Sequence, residues 1–172
     1  MAVNYDNDRY SGDQAVPSDR DFENFSSQKN DLIKMNGHTK EVSIKDFDIY
    51  TTLGTGTFGR VRQVRLKNDK SSTVYALKML KKTEIVRLNQ VEHIKSEKLI
   101  LENINHPFIV DLKVCFQDSK YIYMLFEYIA GGELFSRLRR EGRFATDVGL
   151  FYSSEILLAL QHLHKQNIVY RD

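Results

Sequence analysis

At 172 residues, with 41% apolar and 28% charged side chains, the chain is long enough for one domain with a real core and short for two. A formal charge of +2 is too small to argue for nucleic acid or an anionic membrane surface as a partner. The single cysteine, Cys115, excludes an internal disulfide, and no run of eighteen apolar residues is present to span a bilayer.

The charge is unevenly spread. Residues 1–31 carry seven acids against three bases, which leaves the remainder at +6. This stretch is polar, with aromatics scattered singly, and is expected to be mostly disordered, with a sparse helix over 20–33 on Phe22, Phe25, Leu32 and Ile33 as the one alternative. No charged-then-apolar leader opens the chain, and Ala2 stands where myristoylation needs glycine. A cytoplasmic or nuclear location is the expectation.

Order is expected from Phe47. "FDIYTTLG", "GRVRQVRL" and "STVYALKML" read as three short strands, the first two separated by glycines and the last two by the polar "KNDKSS". The period then changes. Val91, Ile94, Leu101 and Ile104 fall at helical spacing over 90–104. Two more strands follow, "VDLKVCF" and "YIYMLFEYI", joined by "QDSK"; the second is nearly all apolar and should be buried on both faces. Cys115, inside the first, reads as a core thiol. "AGG" ends the strands, "ELFSRLRRE" reads as a short helix, and a long helix runs over 146–165. Its apolar stripe, Val148, Tyr152, Ile156, Ala159 and Leu163, is widened by Phe151, Leu157 and Leu160 and needs cover on several sides.

Three features carry chemistry. Gly54, Gly56 and Gly59 in "LGTGTFGRV" have G-x-G-x-x-G spacing, which lets backbone N–H groups approach a phosphate. Alone, this pattern fits a β-hairpin over phosphates, a dinucleotide-binding turn or a plain glycine hairpin. The dinucleotide fold needs a helix at the glycines, and the β-rich run after Gly59 argues against it. The second feature is Lys78 in "YALK", an ammonium on an otherwise apolar strand that needs partners. The third is Glu97, which lies on the apolar stripe of the 90–104 helix, three after Ile94 and four before Leu101. A carboxylate there needs a cation or hydrogen bonds, and Lys78 is the natural candidate.

Together with the "FEYI" strand end, "GGELF" and the terminal "YRD", these motifs resemble a eukaryotic protein kinase. "VRLNQVEHIKSEK", "NHPFIV" and "GGELFSRLRREGRF" narrow the resemblance to the AGC group, around the catalytic subunits of cAMP-dependent protein kinase. It covers about residues 47–172. The fold it implies is α+β: a five-stranded antiparallel N-lobe sheet with a regulatory helix over 47–127, a hinge at 128–132, and the first C-lobe helices over 133–172. Residues 1–46 would be an N-terminal extension.

The resemblance also implies roles. Gly54, Thr55, Gly56, Thr57, Phe58, Gly59 and Arg60 would form a flap over the phosphates of ATP. Lys78 would hold the α- and β-phosphates and Glu97 would orient it. Leu53, Val61 and Ala76 would wall the adenine, with backbone groups of Glu127 and Ile129 reading its edge and Phe126 as gatekeeper. Glu133 would meet the ribose and a basic residue of the substrate, His93 would touch a phosphorylated activation loop, and Asp172 would be the catalytic base. Protein substrates with basic residues near the acceptor, and a cAMP-binding regulatory subunit, are the implied partners. Magnesium is implied too, but no metal ligand is assigned within the chain: the catalytic-loop asparagine and the Asp-Phe-Gly aspartate of the family would follow Asp172. The chain is therefore expected to end inside an active site and to be inactive by itself.

Overall fold

The computed structural model describes residues 19–23, 25, 32–35, 38–67, 69 and 71–171. Its centre is a five-stranded antiparallel sheet in the order β3-β4-β5-β7-β6. The strands are β3 (Phe47–Gly56), β4 (Gly59–Leu66), β5 (Val74–Lys81), β6 (Leu112–Gln117) and β7 (Tyr121–Glu127). These are the five strands expected from alternation and glycine punctuation, and β7 is buried on both faces as its composition requires. Ile122 and Met124 point into one core, Tyr123 and Leu125 into the other, and none of the four is more than 3% exposed.

Helix α2 (Val91–Asn103) covers the face carrying Leu80, Cys115, Ile122 and Met124. The other face packs Val64, Leu66, Leu77, Val114 and Phe116 under Val42 and Phe47. Three elements were not anticipated. Helix α1 (Lys82–Arg87) directly follows β5 and buries Ile85. An antiparallel pair, β1 (Leu32–Met35) and β2 (His38–Glu41), precedes the sheet.

The N-terminal expectation needs correction. Residues 1–18 lie outside the described residues, but Phe22 and Phe25 are each 2% exposed and pack into the α2-facing core with Ile85 and Ile94. Instead of a helix over 20–33, the chain makes one 3-10 turn at Asp19–Phe22, and Leu32 and Ile33 are extended. The physical reason is burial: both rings are drawn into the core, while Phe22 O accepts from Phe25 N at 3.2 Å and from Gln117 Nε2 at 3.0 Å. Tertiary burial overrides the weak local preference.

Gly131 and Gly132, at φ of 109° and 79°, turn the chain from β7 into α3 (Leu134–Glu141), a conformation that side chains resist. Helix α4 (Thr146–Lys165) follows. Of its apolar residues only Leu163 is buried, while Leu150, Phe151, Ile156 and Leu157 are more than half exposed. No helix among the described residues is long and apolar enough to cross a membrane.

Candidate functional site: a glycine hairpin over a lysine–glutamate pair

β3 and β4 form a hairpin closed by the Gly56↔Gly59 pair, with Thr57 and Phe58 at its tip. The three motif glycines do different things. A Cβ on Gly59 would lie 1.8 Å from Met79 O, so this glycine is demanded by the approach of β4 to β5. At Gly54 and Gly56 a Cβ would meet nothing within 4 Å. The fold does not require glycine at those two positions, and the open space beside them leaves the backbone approachable by a bulky anion.

β4 is registered on β5 so that Val61 opposes Lys78, and β5 on β7 so that Lys78 opposes Met124 and Ala76 opposes Phe126. Alternation along β5 places Ala76, Lys78 and Leu80 on one face, the face that α2 covers. Lys78 Nζ donates to Glu97 Oε1 at 2.7 Å, across a sequence separation of nineteen. Their side chains are 28% and 38% exposed, so the pair is shielded but reachable from the open side. Helix periodicity alone put Glu97 on the core-facing stripe, and Ile94, one turn earlier, is buried beneath it. Such a pair presents an ammonium with two N–H donors still available, held in one direction by its carboxylate.

The other sequence-nominated residues are placed less tightly. Leu53 is exposed at the start of the hairpin, and Phe58 folds back against the α2-facing core, its carbonyl accepting from Lys81 N at 2.8 Å. Arg60 alternates with Val61 and so projects from the face opposite Lys78. Glu127 closes β7, its backbone N–H bonded to Asp111 O at 3.4 Å, and Lys113 Nζ lies 4.0 Å from its carboxylate. Ile129 and Glu133 are exposed on the segment leaving β7. His93 is bonded to Gln90 on the outside of α2. Asp172 lies outside the described residues. Among the described residues no group of three or more His, Cys, Asp and Glu side chains is arranged to hold a metal ion.

One structural contributor had no assigned role in the sequence reading. Phe22 and Phe25 support α2 from below, with Lys82 Nζ 5.1 Å from one ring centroid and Lys98 Nζ 5.5 Å from the other. Lys98 is the neighbour of Glu97, so these aromatics lie directly behind the ion pair's helix. Two phenylalanines three apart in an acidic stretch were the available signal, too short to show a period.

A glycine hairpin, a strand lysine and a helix glutamate in this order define a protein-kinase N-lobe, and the comparisons agree. The family described as "Protein kinase domain" matches residues 47–172, and the chain belongs to it. Within that family it is similar to the cAMP-dependent protein kinase catalytic subunit of Dictyostelium discoideum, 53% identical over 129 residues, 75% of this chain and 20% of that protein. It is also similar to the human cAMP-dependent protein kinase catalytic subunit PRKX, 48% identical over 130 residues, 76% of this chain and 36% of that protein. The cAMP-dependent protein kinase type 3 of Saccharomyces cerevisiae is 45% identical over 144 residues, 84% of this chain and 36% of that protein. The chain thus spans about a fifth to a third of the length of these relatives.

Proposed function

We propose that this chain carries the nucleotide-binding part of an ATP-dependent serine/threonine protein kinase, with Lys78 receiving the α- and β-phosphates beneath the glycine hairpin. The observation that carries the reading is the 2.7 Å Lys78–Glu97 pair, set on the sheet face that the hairpin overhangs. An ammonium already oriented by a carboxylate loses little freedom when phosphate oxygens arrive, which is what positioning catalysis requires. Gly54 and Gly56 leave room for those oxygens at the backbone. Val61, Ala76 and Phe126, on neighbouring strands, supply an apolar wall for the base.

In the complete reaction the γ-phosphoryl group passes to a hydroxyl of a protein substrate, with Asp172 accepting or orienting the hydroxyl proton. The names of the relatives support substrates, and a cAMP-binding regulatory subunit, of the kind those kinases use. Exposed Glu133 is the residue available to a basic side chain near the acceptor. A cytoplasmic or nuclear setting fits the same reading. Magnesium, when bound, would neutralise phosphate charge. The 172-residue chain contains no Asp-Phe-Gly sequence to hold it, so the chain tested alone is expected to bind nucleotide without turning it over.

The test is displacement of a fluorescent ATP analogue. ATP should displace it and NAD should not, and Lys78→Ala should weaken binding about tenfold or more, since a charge-assisted hydrogen bond contributes about 1.5–3 kcal/mol. Equal competition by NAD, or an unchanged affinity in Lys78→Ala, would sink the nucleotide assignment. Phosphate transfer by the pure chain to a basic serine peptide, abolished by the same substitution, would overturn the expected inactivity. A second reading, a non-catalytic chain that binds nucleotide or a partner, is favoured by the open apolar face of α4.

A further inference from the structure

The face of the sheet opposite Lys78 carries a cavity of about 580 Å³ at the glycine end of the sheet. Thr55, Gly56, Thr57 and Gly59 of the glycine hairpin form part of its wall. Arg60 and Arg62 alternate with Val61 on β4, and Met79 and Lys81 alternate with Lys78 on β5, so all four project away from the Lys78–Glu97 pair. Tyr121, opposite Lys81 in the register, and Phe58 at the hairpin tip also line it.

The charge of this groove is one-sided. Three cations line it, and its one carboxylate, Glu84, is already engaged by Arg87 at 2.7 Å. Arg62 is fixed by its bond from Nε to Tyr50 O at 3.2 Å and has no carboxylate within ion-pair distance among the described residues. Arg60 and Lys81 are exposed and have no carboxylate within ion-pair distance among the described residues. Other described surface cations are paired, such as Lys95 with Glu92, Lys113 with Asp111 and Arg137 with Glu141.

The geometry points to this groove as a docking site for an acidic peptide segment of a partner protein. Unpaired cations above an apolar floor of Met79 and Tyr121, which pack on this face of the sheet, match carboxylates flanking an apolar side chain. A small inorganic anion would use the charges and leave the floor empty. A bound segment would touch Thr57 and Phe58 from outside and so brace the glycine hairpin. The site rests on its own lining and not on the kinase reading.

The test uses the full 172-residue chain and a fluorescein-labelled nine-residue peptide of aspartate and glutamate around a central leucine. Anisotropy should show saturable binding that weakens with salt. Lys81→Glu should weaken it at least fivefold while displacement of the fluorescent ATP analogue changes less than twofold, and Arg60→Glu should weaken it similarly. Should either variant fail to melt cooperatively, the wild-type chain supplies the answer: the Met79 methyl resonance should shift on titration with peptide and not with ATP. Absence of saturable binding would overturn the proposal. So would displacement by ATP, affinity unmoved by Lys81→Glu, or equal binding of a peptide with alanine for the leucine, which would make this a general anion patch.

Discussion

Lys98 of α2 holds its ammonium 5.5 Å from the ring centroid of Phe25, a residue 73 positions earlier in the chain. The same ammonium is 3.5 Å from Glu102 Oε1, one turn further along the helix. The contact therefore ties an N-terminal aromatic to the helix that carries Glu97, and through it to Lys78. Phe25 also packs edge-on to Phe22, at a centroid distance of 6.4 Å.

Phe25→Ala should accordingly do two things. Removing a fully buried ring costs about 3–5 kcal/mol, with a cation–π contribution of about 0.5–2 kcal/mol lost alongside it. Urea unfolding should show the loss, and native-state hydrogen exchange should show faster opening of α2 than of β7. A stability change below about 1 kcal/mol would mean that the N-terminal aromatics are not part of the core.

The two classes of glycine in the hairpin predict opposite phenotypes. In Gly59→Ala the new methyl would collide with the Met79 carbonyl, a backbone atom that cannot swing aside. β4 must move off β5, and a destabilisation of about 3 kcal/mol is expected, the upper range for overpacking. Gly54→Ala meets open space and should leave the melting temperature almost unchanged. It should nonetheless weaken ATP-analogue binding, because the methyl occupies the space a phosphate would use. Thermal melts and analogue titrations on both variants separate folding glycine from binding glycine.

The β6–β7 turn predicts a pH dependence. Burial pushes the Asp118 carboxyl up, but bonds from Tyr123 Oη and from the N–H groups of Lys120 and Tyr121 outweigh it, helped by Lys82, and the net pKa lies below the ordinary value. Tyr123 is pushed well above the usual phenol range, first by burial and then by the same carboxylate. A lowered folded pKa means that Asp118 contributes stability above its unfolded value of about 3.9 and loses it as pH falls through the folded value. Asp118→Asn should reduce stability at pH 7 and flatten the acid limb below about pH 4. Parallel acid limbs in the two proteins would remove Asp118 from the account.

Particular residues show what the sequence could and could not disclose. β7 was legible because an unbroken apolar run of strand length has few other uses, and Glu97 because a carboxylate on an apolar stripe demands a cation. The β1–β2 pair carries one strong signal, the hairpin dipeptide Asn36-Gly37 between its strands, but "LIKM" and "HTKE" are four residues each and barely alternate. Helix α1 has six residues, less than two turns, so no period could appear. Phe22 and Phe25 were illegible for a deeper reason. Their partners, Ile85, Ile94 and Gln117, lie about 60–95 positions away, and local composition carries no information about contacts of that range.

The broad stripe on α4 was read from the sequence as needing cover, and the helix indeed leaves it open. Leu157 is 67% exposed, Leu150 64% and Phe151 60%. Contiguous apolar surface of this kind drives association in water. The isolated 172-residue chain should therefore scatter light increasingly with concentration and bind a hydrophobic dye. Leu157→Lys combined with Phe151→Glu should suppress both. Because neither side chain is buried, the double variant should melt within a degree or two of the parent. A substantial fall in melting temperature would mean that these residues already pack against the rest of the chain. Unchanged scattering would place the sticky surface elsewhere, for which exposed Val169 and Tyr170, just beyond α4, are the next residues to change.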